Sequence, residues 1–156
     1  MGMRYTATGV VTGVTTGPRT IWQLTAPSDA VVLVWRVVLT QLTKALAADA
    51  QALRWIVQRA SAAGSSPTSV TPRPTEVGFA AAGSTFGQAP SGAPTLTGDP
   101  LVNRGLNNLA VLDEWVAAGP NGALMLSPSG IIACQTVPTL TSSDIGYMVE
   151  FEELGG

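Results

Sequence analysis

The stretch Ala30–Leu42, AVVLVWRVVLTQL, indicates the fold class more clearly than any other part of the chain. It is almost continuously apolar and rich in valine, with a single charge at Arg36. β-branched residues suit a pleated, buried surface and are mediocre helix formers. The stretch is also too short to cross a bilayer, which takes about 20 apolar residues. It predicts a central strand that is buried on both faces, or on one face with the other against a partner chain.

Shorter stretches with alternating or β-branched residues flank this strand on both sides, separated by turn signals rich in Gly, Pro, Ser and Asn. Many short strands separated by such turns are typical of a β-sandwich or jelly roll. We therefore predict an all-β, antiparallel sandwich that forms one domain over residues 1–156. The further predicted strands are Arg4–Thr16 with breaks at Gly9 and Gly13, Thr20–Thr25, Leu106–Ala118, Ala123–Leu126, Ile131–Val137 and Asp144–Leu154.

The segment 43–60 fits two structures equally well. Apolar residues at Leu46, Ala50, Leu53 and Val57 are three or four apart, which is typical of an amphipathic helix. The alternative is an alanine-rich loop or a short helix near 43–51, followed by a strand over Ala52–Arg59. Periodicity alone leaves both structures open.

The segment 61–100 is rich in Ser, Gly, Pro, Ala and Thr, and we predict an extended loop or arm within the domain. Structureless loops beyond about 12–15 residues are uncommon in a compact domain, and such long loops are usually functional. A short extended piece at Pro74–Phe79 is a candidate edge strand, because proline is tolerated at sheet edges. No repeating unit is visible in the segment.

Composition excludes several classes of function. Asp, Glu, Lys and Arg make up only 12% of the residues, about half of the ~25% that is usual in soluble domains. The net charge of −2 and the absence of a basic run argue against a nucleic-acid partner. There is no histidine, the commonest general base and metal ligand. The start of the chain lacks the apolar core of a signal peptide, so we expect no secretion by that route and no membrane partner.

The carboxylates offer the only side-chain clusters on which hydrolytic or metal chemistry could be built. Asp113 and Glu114 are adjacent, and Glu150, Glu152 and Glu153 form a second group. Paired carboxylates can hydrolyse glycosides, but neighbouring strand residues point to opposite faces and charges normally occupy the solvated face of an antiparallel sheet. No EF-hand-like spacing is present, although bound calcium stays open. We expect no enzyme activity, no catalytic residue and no cofactor.

The remaining chemically distinctive residues are read as structural. Cys134 lies in an apolar strand with no positive charge beside it, which predicts a buried, unreactive thiol. The glycine-rich piece Gly83–Gly87 lacks the lysine of a phosphate-binding loop. The four tryptophans, Trp22, Trp35, Trp55 and Trp115, lie within predicted strands, which favours core packing over a sugar-binding platform.

Arg36 is unusual because it interrupts the valine-rich strand. It is predicted to pair with a carboxylate such as Glu150, or to lie at a subunit interface, where arginine is enriched. The residues predicted to bind a partner are Arg4, Tyr5, Arg36, Arg73, Phe79 and Phe86.

Several short motifs together give the chain a family resemblance. They are the opening MRYT strand, the turn Ala26-Pro27-Ser28-Asp29-Ala30, the middle rich in Ser, Thr, Pro and Gly, the Leu126–Gly130 turn LSPSG, and the ending VEFEELGG from Val149. With these features the chain resembles small proteins encoded in the head-gene clusters of tailed bacteriophages, the capsid decoration or cement proteins. The resemblance favours a strand at Ala52–Arg59 over the helix.

The resemblance implies a jelly-roll-like fold and a homotrimer on the outer capsid surface of a virion, made in the host cytoplasm. Its partner would be the major capsid protein, whose neighbouring subunits it would clamp together. A protein that touches several capsid subunits at once gains avidity from modest individual contacts. The alternative function is a receptor-binding or glycan-binding sandwich of a phage tail or fibre.

Overall fold

The valine-rich stretch forms a strand in the middle of a two-sheet sandwich. The structure is a computed structural model that describes residues 2–15, 17–42, 52–107, 112–138 and 143–155. It contains twelve strands and one 3₁₀ turn at Pro120–Gly122 within those residues. The strands are β1 Met3–Val14, β2 Arg19–Thr25, β3 Val31–Gln41, β4 Ala52–Ala62, β5 Thr68–Val70, β6 Arg73–Pro74, β7 Thr85–Gln88, β8 Thr95–Asn107, β9 Leu112–Val116, β10 Leu124–Leu126, β11 Ile131–Pro138 and β12 Ser143–Leu154.

Two antiparallel sheets contain all of these strands. The first sheet has the order β10-β3-β12-β1-β6, and β9 pairs with β3 next to β10. The second sheet has the order β5-β7-β2-β11-β4-β8. The predicted all-β antiparallel sandwich is therefore confirmed. No helix among the described residues is long and apolar enough to cross a membrane.

The strand pairing is nested from the two ends of the chain inward. β1 pairs with β12, β2 with β11, β3 with β10 and β9, and β4 with β8. Members of each pair lie in the same sheet, and the pairs alternate between the two sheets. A long antiparallel hairpin rolled up in this way has the topology of a jelly roll.

The core lies between the two inner faces and follows the alternation of the sequence. In β12, Ile145, Tyr147, Val149 and Phe151 all point inward and are buried. Burying a large apolar side chain contributes about 1.5–3 kcal/mol, so this single strand supplies a substantial part of the stability. The largest fully buried side chains in the described part of the chain are Trp22, Trp55, Tyr5, Phe151, Ile21, Leu24, Leu39, Leu53, Ile132 and Ile145.

β3 is a central strand, and it buries one face in this chain. Val32, Val34, Val37 and Leu39 have no exposed surface. The residues of the opposite face are half-exposed, with the exception of Val38. The strand was predicted to be buried on both faces, or on one face with the other against a partner chain. Within the single chain, one face is buried and the other is half-exposed.

The ambiguous segment is resolved where the structure describes it. Ala52–Ala62 is a strand that pairs with β11 and β8, so the strand predicted at Ala52–Arg59 is confirmed and the helix alternative is wrong there. The short helix or loop proposed near 43–51 lies outside the described residues.

The segment 61–100 carries three short strands, β5, β6 and β7, together with the beginning of β8. The edge strand expected at Pro74–Phe79 is limited to Arg73–Pro74, which pairs with Tyr5 and Thr6 of β1. The segment is also held against the second sheet, where the buried side-chain amide of Gln23 bonds both backbone groups of Gly64 at 2.7 and 3.3 Å. Such bonds satisfy polar backbone groups that the core would otherwise leave unpaired.

Candidate docking surface

The outer face of the first sheet carries most of the predicted partner-binding charges together with exposed apolar side chains. Alternation along each strand sets which residues point outward, since neighbouring residues of a strand face opposite sides. The outward residues are Arg4, Thr6, Thr8 and Val10 of β1, Arg36, Val38 and Thr40 of β3, Leu112, Glu114 and Val116 of β9, and Met148, Glu150 and Glu152 of β12.

Arg36 connects three neighbouring strands of this face. Its guanidinium bonds the carboxylate of Glu114 on β9 through Nε and that of Glu150 on β12 through Nη1, the latter at 3.4 Å. The predicted pairing with Glu150 is thus confirmed. The hydrogen bond to Glu114 is the main reason that the pKa of Arg36 is raised. Because the Arg36 side chain is 37% exposed, solvent screens the pairs and their contribution to stability is small.

A second polar group lies where β1, β3 and β12 meet. Trp35 Nε1 donates a 3.1 Å hydrogen bond to Glu152, and the Arg4 guanidinium lies 5.3 Å from the centre of the Trp35 ring. Arg4 and Glu152 approach to 3.8 Å. A cavity of about 160 Å³ lies beside this group. It is lined by Arg4, Tyr5, Trp35, Thr75, Glu150 and Phe151.

The far end of the same face is an apolar depression, which we call the apolar trough. It has a volume of about 430 Å³, and Gly146 contributes only backbone to its lining. Val10 and Leu42 are about half-exposed at its walls, and Val38 is buried beneath them. The residues that line the trough are Thr8, Gly9, Val10, Val38, Thr40, Leu42, Gly146, Tyr147 and Met148.

A loop at the opposite end of β1, residues 75–83, presents a fully exposed Val77. Thr75 donates a 2.9 Å backbone hydrogen bond to the Arg4 carbonyl, and the Tyr5 hydroxyl donates to the Ala80 carbonyl at 3.2 Å. Its far end is held by the Glu153 carboxylate, which accepts backbone N–H groups at 3.1 and 2.8 Å from Gly83 and Ser84. The loop is therefore anchored at several points while Val77 contacts solvent.

The structure separates the six predicted partner-binding residues into two groups. Tyr5 is 1% exposed and stacks on Phe151, whereas Phe86 is 3% exposed and stacks between Trp22 and Tyr147. Both rings are part of the core, and Tyr5 also lines the cavity of about 160 Å³ beside Trp35. Arg4 and Arg73 are exposed, and Arg36 and Phe79 are half-buried. Arg4, Arg36 and Arg73 lie on the first sheet.

The carboxylates of Asp113 and Glu114 have structural partners, and the thiol of Cys134 is buried. Asp113 points toward the second sheet and Glu114 toward the outer face, as alternation predicts. Cys134 is fully buried, and desolvation raises the pKa of its thiol far above the ordinary value, which confirms the expected unreactive position. Among the described residues no three His, Cys, Asp or Glu side chains are grouped in a way that could hold a metal ion.

Core packing of the tryptophans is confirmed for Trp22 and Trp55, which have no exposed surface. Trp115 is half-buried and packs against the core. Trp35 is half-buried on the outer face of the first sheet, beside Arg4 and Glu152.

Sequence reasoning missed the trough and Val77. The alternation of β12 places Met148 opposite the core residues, and that signal alone indicates an outward apolar side chain. Nothing in the local sequence brings Leu42 beside Gly146, because that contact depends on the register between β3 and β12.

Comparison of the chain with protein-family models, with curated proteins and with solved structures finds no match.

Proposed function

We propose that this protein is a structural virion protein, a decoration or cement protein that binds the outer surface of a phage capsid and stabilises contacts between major capsid subunits. In this role the jelly roll supplies a rigid body and its surface supplies adhesion. The proposal combines the resemblance of the sequence motifs with the jelly-roll topology.

The observation that carries the proposal is the outer face of the first sheet. Side chains of Val10, Leu42, Leu112 and Val116 are 43–56% exposed on or beside this face. Such apolar surface typically marks a protein-binding site when polar residues surround it. Here the surrounding groups are the ion pairs of Arg36 and Arg4.

The proposed partner is the major capsid protein, and the proposed assembly is a homotrimer on the virion surface. A stable interface buries about 1,200–2,000 Å² in total. When several copies of the chain contact adjacent capsid subunits through this face, effective concentration strengthens the overall binding, even where each contact is modest.

The test is reconstitution on empty capsids. Capsids assembled from the major capsid protein encoded in the same genome are mixed with the purified chain and sedimented. The chain is expected to sediment with the capsids, to saturate at a fixed ratio, and to raise the temperature at which they break.

A variant with Val10→Glu tests the assigned face, and Thr97→Glu, an exposed residue of β8 in the second sheet, is the matched control. Val10→Glu is expected to lower binding and Thr97→Glu to retain it. A folded wild-type chain that stays in the supernatant would contradict the proposal.

Glycan binding by a tail or fibre module is the second candidate function, favoured by the group around Trp35. A half-buried indole, the Arg4 guanidinium and the Glu150 carboxylate line the same 160 Å³ cavity, and sugar sites combine aromatic faces with a few polar groups. Binding on a glycan array that is lost in Trp35→Ala would favour this function over the first.

A further inference from the structure

The edge of β1 that faces away from β12 is only partly covered by another strand. On that side β6 pairs with Tyr5 and Thr6, and no other described strand pairs with β1 there. A groove of about 610 Å³ follows, lined by Thr6, Thr8, Ser69, Val70, Thr71 and Arg73. We propose that an extended, acidic peptide segment of a partner binds in this groove and adds a strand to β1 next to β6. The inference rests on the proposed function, in which the partner is the major capsid protein.

Unpaired backbone groups of β1 point toward this groove. In an antiparallel strand the N–H and C=O of one residue point to one side, and those of the next residue point to the other. The Arg4 carbonyl accepts the Thr75 N–H on the β6 side, and β1 keeps one register with β12 as far as Val11. Thr8 and Val10 are an even number of residues from Arg4, so their N–H and C=O groups also face the β6 side, where no described strand pairs with them.

Gln88 closes the edge beyond Val10. Its side-chain amide donates a 3.5 Å hydrogen bond to the Val10 carbonyl and accepts a 2.8 Å bond from the Tyr147 hydroxyl. The N–H and C=O of Thr8 and the N–H of Val10 are therefore the backbone groups that a bound strand would pair with. Both residues are exposed in the free chain, so a bound strand would replace only water at these groups.

The geometry of a sheet edge selects an extended peptide as the occupant. Alternate residues of a strand repeat every ~6.8 Å, and another extended backbone presents donors and acceptors at that same spacing. Peptides bind to many proteins in this way, by adding a strand to an exposed sheet edge. β6 shows that this edge accepts such a segment, because Arg73–Pro74 pairs with β1 although it is only two residues long.

The opposite wall of the groove favours particular side chains in the bound segment. This wall continues from β5, which is itself an edge strand of the second sheet. Ser69 and Thr71 are exposed there, and their hydroxyls can donate to and accept from polar groups. Arg73 is also exposed and makes no ion pair with any described carboxylate, including Glu76 three residues along the chain. This uncompensated positive charge favours a segment that places Asp or Glu opposite Arg73.

Hydrogen exchange on the capsid-bound chain tests the added strand directly. In the free chain the amides of Thr8 and Val10 are expected to exchange quickly, whereas those of Ala7 and Gly9, which face β12, are expected to be protected. When the chain is bound to capsids assembled from the major capsid protein of the same genome, the Thr8 and Val10 amides are expected to become protected as well. Bound chains in which both amides exchange as in the free chain would overturn the inference.

A proline substitution tests the same hydrogen bond by removing its donor. Thr8→Pro is expected to weaken capsid binding about tenfold. It is expected to leave the melting temperature nearly unchanged, because proline is tolerated where the N–H faces an open edge. Thr12→Pro changes an exposed residue of the same strand outside the groove, and this matched control is expected to bind as the wild type does. Equal binding by the two variants would contradict strand addition at Thr8.

A charge reversal tests the acidic segment without changing β1, and it remains decisive if the proline variant does not fold. Arg73→Glu is expected to weaken capsid binding severalfold at low salt, with a smaller effect at high salt because ions screen exposed charges. Arg59→Glu reverses an exposed arginine of β4 in the second sheet and is the control. If Arg73→Glu binds as tightly as Arg59→Glu, the bound segment is not acidic and the inference is wrong.

The outcomes separate this inference from the proposed function. A chain that binds capsids without protection at Thr8 and Val10 keeps the decoration role and overturns the groove as its binding site. A chain that does not bind capsids contradicts both. Protection of the two amides in the free chain would show that the groove is already filled. If that protection depends on chain concentration, the occupant is a second copy, and this result also overturns the inference.

Discussion

Trp55 Nε1 donates a 2.7 Å hydrogen bond to Oδ2 of Asp113, and this bond joins the two sheets of the sandwich. Trp55 belongs to β4 of the second sheet and Asp113 to β9 of the first. Arg104 of β8 completes the group, with its guanidinium 2.8–3.2 Å from the two carboxylate oxygens. The indole is fully buried and the carboxylate is largely buried. A single carboxylate thus connects three strands on the side of the sandwich where β8 meets β9.

Replacing Asp113 by alanine is expected to lower the free energy of unfolding by about 1–3 kcal/mol, because the buried Trp55 N–H loses its acceptor. Asp113→Asn keeps an acceptor and is expected to cost less. Urea unfolding followed by tryptophan fluorescence measures both. Glu76→Ala removes a carboxylate from an exposed loop position and is the control. Equal stability of the Asp113→Ala and Glu76→Ala variants would show that the bond between the sheets contributes nothing.

The Asp113 carboxylate is expected to make the free energy of unfolding depend on pH in the acid range. Burial acts to raise the pKa of Asp113, but the hydrogen bonds from Arg104 and Trp55 outweigh it, so that the pKa is lowered in the folded chain. The contribution of ionised Asp113 to the free energy of unfolding is therefore fully present above the ordinary aspartate pKa of ~3.9. It is lost as the pH falls through the lowered pKa of the folded chain.

The measurement is the difference in unfolding free energy between the wild type and Asp113→Asn as the pH is lowered. This difference is expected to shrink toward zero in acid, since a protonated Asp113 resembles asparagine. Arg104 is 43% exposed, so added salt is expected to reduce the ionic part. A difference that stays constant with pH would contradict the assignment.

Gly64 and Gly105 provide a matched pair of glycine substitutions. A Cβ at Gly64 would overlap the carbonyl oxygen of Gly92, whereas a Cβ at Gly105 would have no neighbour within 4 Å. Gly64→Ala must therefore displace the segment that Gln23 holds on the second sheet, at a cost of about 1–3 kcal/mol. Gly105→Ala is expected to be neutral or slightly stabilising, because alanine in a strand loses less entropy on folding. Thermal unfolding of both variants checks this, and equal melting temperatures would refute it.

The local sequence pattern was sufficient to predict several strands. β2, β11 and β12 lie within one residue of their predicted bounds, because each is an alternating or continuously apolar stretch bounded by turn residues. Likewise, the break predicted at Gly13 coincides with a register shift in β1 and a positive φ of 63°.

The features that local sequence did not predict depend on contacts between distant parts of the chain. β7 has only four residues, and its Phe86 is buried because it packs between Trp22 of the neighbouring strand and Tyr147 of the opposite sheet. The predicted strand Leu106–Ala118 contains the end of β8 and the whole of β9 in different sheets, a division that alternation alone does not reveal. The trough and the loop 75–83 likewise arise from register and tertiary hydrogen bonds.

Glu153 is expected to control how firmly the loop carrying Val77 is held. Its carboxylate accepts the N–H groups of Gly83 and Ser84, and Glu153→Ala removes both acceptors. Amide hydrogen exchange at these two residues is expected to become faster while the core strands keep their protection. Glu150→Ala changes a neighbouring carboxylate that bonds Arg36 instead, and serves as the control. Unchanged exchange at Gly83 and Ser84 in Glu153→Ala would show that other contacts hold the loop.

The buried thiol is expected to report on global unfolding. Cys134 lies in the middle of β11, between β2 and β4, and its side chain has no exposed surface. Desolvation raises its pKa, so at neutral pH the native thiol has almost no thiolate, the reactive form. A thiol reagent that absorbs on reaction is expected to label the native protein only as fast as the sandwich unfolds, and the urea-unfolded chain at once. Asp113→Ala, with its sheets less firmly joined, is expected to be labelled faster than wild type. A native thiol that reacts at the rate of a free cysteine would mean that β11 is not enclosed between its two neighbouring strands.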